Sequence, residues 1–151
     1  MSTDQHPTLV LFYCQNIPES SEGDRQAIEL KYGEGIRLFP ISCSGRLEPV
    51  HLLRALEEYA DVAYVITCPE GECCYFEGNR RAKKRVERTE DIIAGIGLEP
   101  ERVGIIIESK DNPKSLAELA GEILEDISRL GPSPVHSAWV SLRPIHPVIN
   151  K

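Results

Sequence analysis

Apolar residues follow two rhythms along this chain. TLVLFY (8–13), VAYVIT (62–67) and VGIII (103–107) are continuous apolar blocks rich in β-branched and aromatic residues, which predicts buried strands. IRLFPIS (36–42) predicts a further strand, pushed toward an edge or a strand end because Pro40 has no N–H to give to a ladder. Helical spacing fills the intervals. Asp24 predicts a cap for a short helix over 25–32. Glu48 and Pro49 open a helix running to about Tyr59, with Val50, Leu53, Leu56 and Ala60 as its apolar stripe. A long helix is predicted over 77–96, ended by Gly97, with Ala82, Val86, Ile93 and Ile96 on one side. Asn112 and Pro113 open a last helix through Leu130, whose core stripe is Leu116, Leu119, Ile123, Leu124 and Ile127. Gly131 and Pro132 stop it.

Strand and helix thus alternate four times, and the strands are apolar throughout. This predicts an α/β, doubly wound, flavodoxin-like parallel sheet of four or five strands with helices on both faces. A chain of 151 residues suits one such domain, assigned to 1–131. Residues 132–151 hold four prolines and the only tryptophan, and form an irregular arm. An exposed apolar arm carrying Trp139, Val140, Leu142 and Ile145 is unfavourable, so it is expected to wrap its own domain or pack on a subunit. The first residues lack a basic segment followed by a long apolar one, and no run of about 18 apolar residues occurs. The expectation is a cytoplasmic protein with no membrane span.

A formal net charge of −7 argues against a general nucleic-acid binder, since phosphates repel such a field. Residues 80–88 stand against that balance, holding six of the seventeen lysines and arginines. Arg81, Lys84, Arg85 and Arg88 cluster on one side of the long helix. They suit either a solvated face paired with Glu87 and Glu90 or a surface that docks an acidic partner.

The cysteines change the picture most. Three of the five fall within TCPEGECC, with no oxidising context to suggest a disulfide framework, which favours metal or redox use. Cys14, Cys43 and Cys68 each follow a predicted strand, and in a parallel sheet those ends share one edge, where ligands bind. Cys73 and Cys74 join them from the loop after the third. Convergent thiolates suit tetrahedral zinc or an iron–sulfur cluster. Paired CxxC knuckles, the usual mark of structural zinc, are absent. The C-x4-C spacing of Cys68 and Cys73 occurs in plant-type ferredoxins within a longer pattern that this chain lacks; a [2Fe–2S] centre is the preferred occupant.

Taken together, LFYCQN around Cys14, CSGRLEP from Cys43, the CPEGEC loop, YFEGNRRAKKRVE and GLEPERV resemble the delta subunit of methyl-viologen-reducing hydrogenase, in the same order over residues 8–130. The resemblance implies an iron–sulfur subunit with one [2Fe–2S] cluster on Cys14, Cys43, Cys68 and Cys73. It also implies electron relay between a hydrogenase or other donor and a heterodisulfide-reductase-type flavoprotein within a larger complex. One departure stands out. The family often has a second cysteine three residues after the first, where this chain has Ile17, and often a histidine where it has Cys74. Either position 17 is no ligand or Cys74 replaces it.

The chain shows no Ser-His-Asp arrangement, no glycine-rich phosphate loop and no acidic cluster at the first strand end. No catalytic site of its own is expected, and a receiver domain is disfavoured. The rival reading is a zinc-stabilised or thiol-redox regulatory module built on the same cysteines.

Overall fold

Four strands form one parallel sheet in the order β2-β1-β3-β4: β1 (Leu9–Cys14), β2 (Ile36–Ile41), β3 (Val62–Thr67) and β4 (Val103–Ile107). The computed structural model describes residues 7–15, 17–42, 47–58, 60–68, 78–108, 111–131 and 133. Cys43, Cys73, Cys74 and, apart from Ser133, the arm over 132–151 lie outside the described residues.

Alternation along the strands sorts the core into two layers. Leu9, Leu11 and Tyr13 of β1, Ile36 and Leu38 of β2, and Val62 and Ile66 of β3 face one side, under α1 (Glu22–Tyr32) and α4 (Leu116–Ile127). Val10, Ala63, Val65 and Val103 face the other, under α2 (Pro49–Glu58) and α3 (Gly78–Gly95). Helices therefore cover both faces, as the apolar strands require.

Pro40 does sit on an edge strand, where the sheet loses least by its missing donor. The amide of Leu38, two residues earlier, donates to Glu29 Oε2 of α1 at 3.0 Å. That edge therefore offers little for another strand to pair with. Gly104 in β4 lies against Tyr64 of β3: a Cβ there would come within 2.6 Å of the tyrosine ring.

The helices depart from expectation mainly at their ends and in one stripe. The first begins at Ser21, not Asp24: the Ser21 side chain accepts from the Asp24 amide while Asp24 accepts from the Ser21 amide, a closed capping box. The last helix uses the same device with Ser115 and Glu118, so Asn112 and Pro113 remain in the loop before it. In α2 the buried positions are Leu52, Ala55 and Leu56, whereas Val50 is 52% exposed. In α3 the stripe is Ala82, Val86, Thr89 and Ile93. Gly97, at φ +95°, turns the chain after that helix and leaves Ile96 outside.

The opposite, amino-terminal edge of the sheet is pinned by one carboxylate. Asp61 Oδ2 accepts from the Thr8 amide at 2.9 Å and Oδ1 from the Ser133 amide at 2.8 Å. Arg102, almost wholly buried, donates to the Asp61 carbonyl at 3.1 Å and to Glu99 Oε1 at 2.6 Å.

Candidate functional site

In the order β2-β1-β3-β4, successive connections leave β1 in opposite directions, so the topological switch point lies between β1 and β3. Cys14 is the last residue of β1 and Cys68 the first after β3. The two thiols therefore stand at the carboxyl end of the two strands that flank the switch point. Both are buried, and both belong to the same apolar cluster. Cys14 also lies in parallel register with Ile41 on its other side, which puts the end of β2 beside it.

Backbone pairing holds this edge in place beyond the strands themselves. The Gln15 amide donates to the Ile41 carbonyl at 3.0 Å, continuing the β1–β2 pairing past Cys14. The Glu108 amide donates to the Thr67 carbonyl at 3.0 Å, extending the β3–β4 pairing to the residue before Cys68. The buried Thr67 hydroxyl donates to the Cys68 carbonyl at 3.0 Å. Glu108 in turn accepts from the Lys114 amide at 3.1 Å, fixing the return of the chain toward α4.

The turn after Cys14 closes on itself: the Ile17 amide donates to the Cys14 carbonyl at 3.2 Å and the Ser20 hydroxyl to the Ile17 carbonyl at 2.7 Å. Ile17 is buried in the same cluster as Cys14 and Cys68. The sequence marks position 17 only as the place of a missing cysteine; its apolar pattern gives no sign that Ile17 is buried. Tyr13, next to Cys14, is buried on the α1 face. Burial pushes its hydroxyl above the usual tyrosine range, with Arg25 pulling the other way.

Among the described residues no group of three or more His, Cys, Asp or Glu side chains gathers to hold a metal ion. The structure brings together two of the expected ligands, Cys14 and Cys68. Cys43, Cys73 and Cys74 fall outside the described residues.

The basic stretch divides in two. Arg81, Lys84 and Arg88 are exposed on α3, and among the described residues none of the three makes an ion pair. Neither Glu87 nor Glu90 pairs with them. Arg85 is turned inward: it donates to the Leu47 carbonyl at 2.9 Å and pairs with Glu48 Oε2 at 3.7 Å, tying α3 to the entry of α2. No described helix is long and apolar enough to cross a membrane.

Residues 9–131 match the family described as methyl-viologen-reducing hydrogenase, delta subunit. The chain belongs to that family. The chain is 30% identical over 132 residues to the iron-sulfur subunit of the F420-non-reducing hydrogenase of Archaeoglobus profundus, covering 87% of this chain and 96% of that protein. It is 31% identical over 128 residues to the iron-sulfur subunit of the F420-non-reducing hydrogenase vhu of Methanopyrus kandleri, covering 85% and 97%. It is also 30% identical over 128 residues to one subunit of the ferredoxin/F(420)H(2)-dependent CoB-CoM heterodisulfide reductase of Methanosarcina acetivorans. There the delta-subunit match takes up 85% of this chain but only 16% of the relative. The same domain thus occurs both as a small separate chain and as a minor part of a much longer one.

Proposed function

We propose that this chain is an electron-transfer iron–sulfur subunit that binds one [2Fe–2S] cluster through Cys14, Cys43, Cys68 and Cys73, in the cytoplasm and inside a larger complex. The observation that carries the reading is the placement of two buried cysteines on either side of the sheet's switch point, with the end of β2 alongside. Thiol donors in an apolar setting suit such a cluster, which supplies one-electron exchange when bound. The protein's own part is to hold the sulfurs at fixed spacing, limit water at the edge and present that edge to a partner. Ile17 brings no sulfur to the turn after Cys14, so Cys74 is the chain's substitute if a further thiol is needed.

The relatives support the choice of partner. A domain that serves as a hydrogenase subunit in some proteins and as a segment of a heterodisulfide reductase chain in others suits a link between two such assemblies. The partners proposed here are a heterodisulfide-reductase-type flavoprotein and a hydrogenase or other oxidoreductase subunit. Arg81, Lys84 and Arg88 form the docking face. They are exposed and make no ion pair within the described chain, so their use is better sought in an acidic partner.

Anaerobic purification followed by iron, sulfide and zinc analysis, visible absorption and EPR tests the cluster. Two irons and two sulfides per chain are expected, on the order of the cluster's own stoichiometry, with loss of both in Cys14→Ser and Cys68→Ser. A colourless zinc protein, or full iron content in Cys14→Ser, overturns the reading. Comparison of Cys73→Ser with Cys74→Ser then assigns the last ligand.

A further inference from the structure

On the α2 side, among the described residues, the helix lies over β1 and β3 through Leu52, Ala55 and Leu56 and does not reach across the outer strand β2. Phe39 of β2 is 37% exposed, and its ring stacks on Phe12 of β1 with centroids 5.6 Å apart. The two rings floor a groove beside α2 made of two hollows of about 250 and 210 Å³ that share Phe12 and His51. One end is bounded by Leu47, the other by Arg54 and Glu58. An aromatic floor open to water beside an edge strand calls for an occupant.

The position of Ser133 says which one. Its amide is held by the Asp61 carboxylate, and the residue is fully buried. Asp61 follows α2 closely, whose last residue, Glu58, lines the groove. Ser133, the last described residue, is therefore anchored near the groove's Glu58 end. The chain continues from 134 to 151, a reach of about 60 Å if extended, against about 15 Å for the helix the groove follows. It also carries the matching chemistry: Trp139, Val140, Leu142 and Ile145 lie close together, with Pro144 and Pro147 keeping that stretch from continuing as a helix.

Addition of the arm as a strand beside β2, the edge next to the groove, is disfavoured, since the Leu38 amide is taken by Glu29 and Pro40 has none. At the groove itself, side-chain packing is what remains. We propose that residues 138–145 of this chain's own carboxyl-terminal arm fill the groove along α2, with the Trp139 indole against the exposed face of Phe39. This inference is independent of the cysteines and of what they bind.

Trp139 is the only tryptophan, so its fluorescence in the full chain reads the contact directly. The expected result is blue-shifted emission with weak acrylamide quenching, independent of protein concentration. Phe39→Glu, at a partly exposed position, should red-shift the emission and raise the quenching constant several-fold. Should that variant fail to fold, nuclear Overhauser contacts between the Trp139 indole and the Phe39 ring in the unmodified chain replace it. Emission like that of free indole, indifference to a folded Phe39→Glu, or absence of the ring contacts overturns the proposal. Shielding of Trp139 only at concentrations where light scattering shows a dimer also overturns it, in favour of a second copy in the groove.

Discussion

Ser133 is bound to Asp61 across 72 residues of chain, its amide donating to Oδ1 at 2.8 Å while Oδ2 takes the Thr8 amide at 2.9 Å. One carboxylate thereby joins the start of β1, the start of β3 and the segment after α4. Both of its oxygens are used as acceptors. Asp61→Asn keeps the shape but sets an NH2 group against one of the two amides, leaving a buried donor without an acceptor. Urea unfolding should show a loss of about 1–3 kcal/mol, and Asp61→Ala a larger one. Unchanged midpoints would remove Asp61 from this role.

Arg85 and its basic neighbours should separate cleanly by measurement. Arg85→Ala breaks the hydrogen bond to the Leu47 carbonyl and should destabilise the fold by about 1 kcal/mol. The triple variant Arg81→Glu, Lys84→Glu, Arg88→Glu should leave the melting temperature nearly unchanged, because the three side chains are exposed and make no ion pair among the described residues. It should weaken binding to the proposed heterodisulfide-reductase-type partner, most strongly at low salt. Equal binding by the triple variant and the unaltered chain would sink the docking face.

Gly104 is fixed by its neighbour across the sheet, not by backbone conformation. Gly104→Val forces a side chain into the Tyr64 ring, which would sit 2.6 Å from a Cβ, and a strand next to β3 cannot retreat without losing its pairing. A loss of about 1–3 kcal/mol is expected in thermal or urea unfolding. Tyr64→Ala combined with Gly104→Val should cost less than the two single losses added. Simple additivity would show that the two residues do not meet.

Glu90 sets a pH dependence of known sign. Burial and the nearby Glu87, Asp91 and Glu101 raise its carboxyl above the ordinary value of 4.5. The charged form is disfavoured in the native state, so stability from this group is full below 4.5 and declines as pH rises through the raised native value. Glu90→Gln should therefore raise the melting temperature at pH 7 and give no gain well below pH 4.5. A gain of equal size at both pH values would rule out titration of Glu90 as its source.

The strands were the most legible part of the chain. The blocks 62–67 and 103–107 coincide with β3 and β4 because β-branched apolar runs have few other uses in a sheet covered on both faces. Of the expected α2 stripe, Leu56 and Ala60 are buried and Leu53 packs against the core, whereas Val50 is exposed and Leu52 and Ala55 take up the buried face instead. Both missed helix starts carry an S-x-x-acid signature, Ser21 with Asp24 and Ser115 with Glu118, so that signal was present in the sequence. At the site, the strand-end position of Cys14 and Cys68 followed from the parallel topology alone. Which strands are neighbours did not, because strand order depends on long-range packing. The burial of Ile17 was hidden for a similar reason, since it arises from the closed turn after Cys14 and the helices above it.

The parallel register has one more consequence. The β1–β3 ladder sets Tyr13, the residue before Cys14, against Ile66, two residues before Cys68. Sliding β1 by a single residue would displace Cys14 by about 3.3 Å and turn it to the opposite face of the sheet. The distance between the two sulfurs is thus a property of amide pairing and hardly of the side chains around them. A lineage can exchange most of its helical surface and still keep that distance, as it could across relatives only about 30% identical. The amides that set it should then be among the last in the molecule to exchange with deuterium.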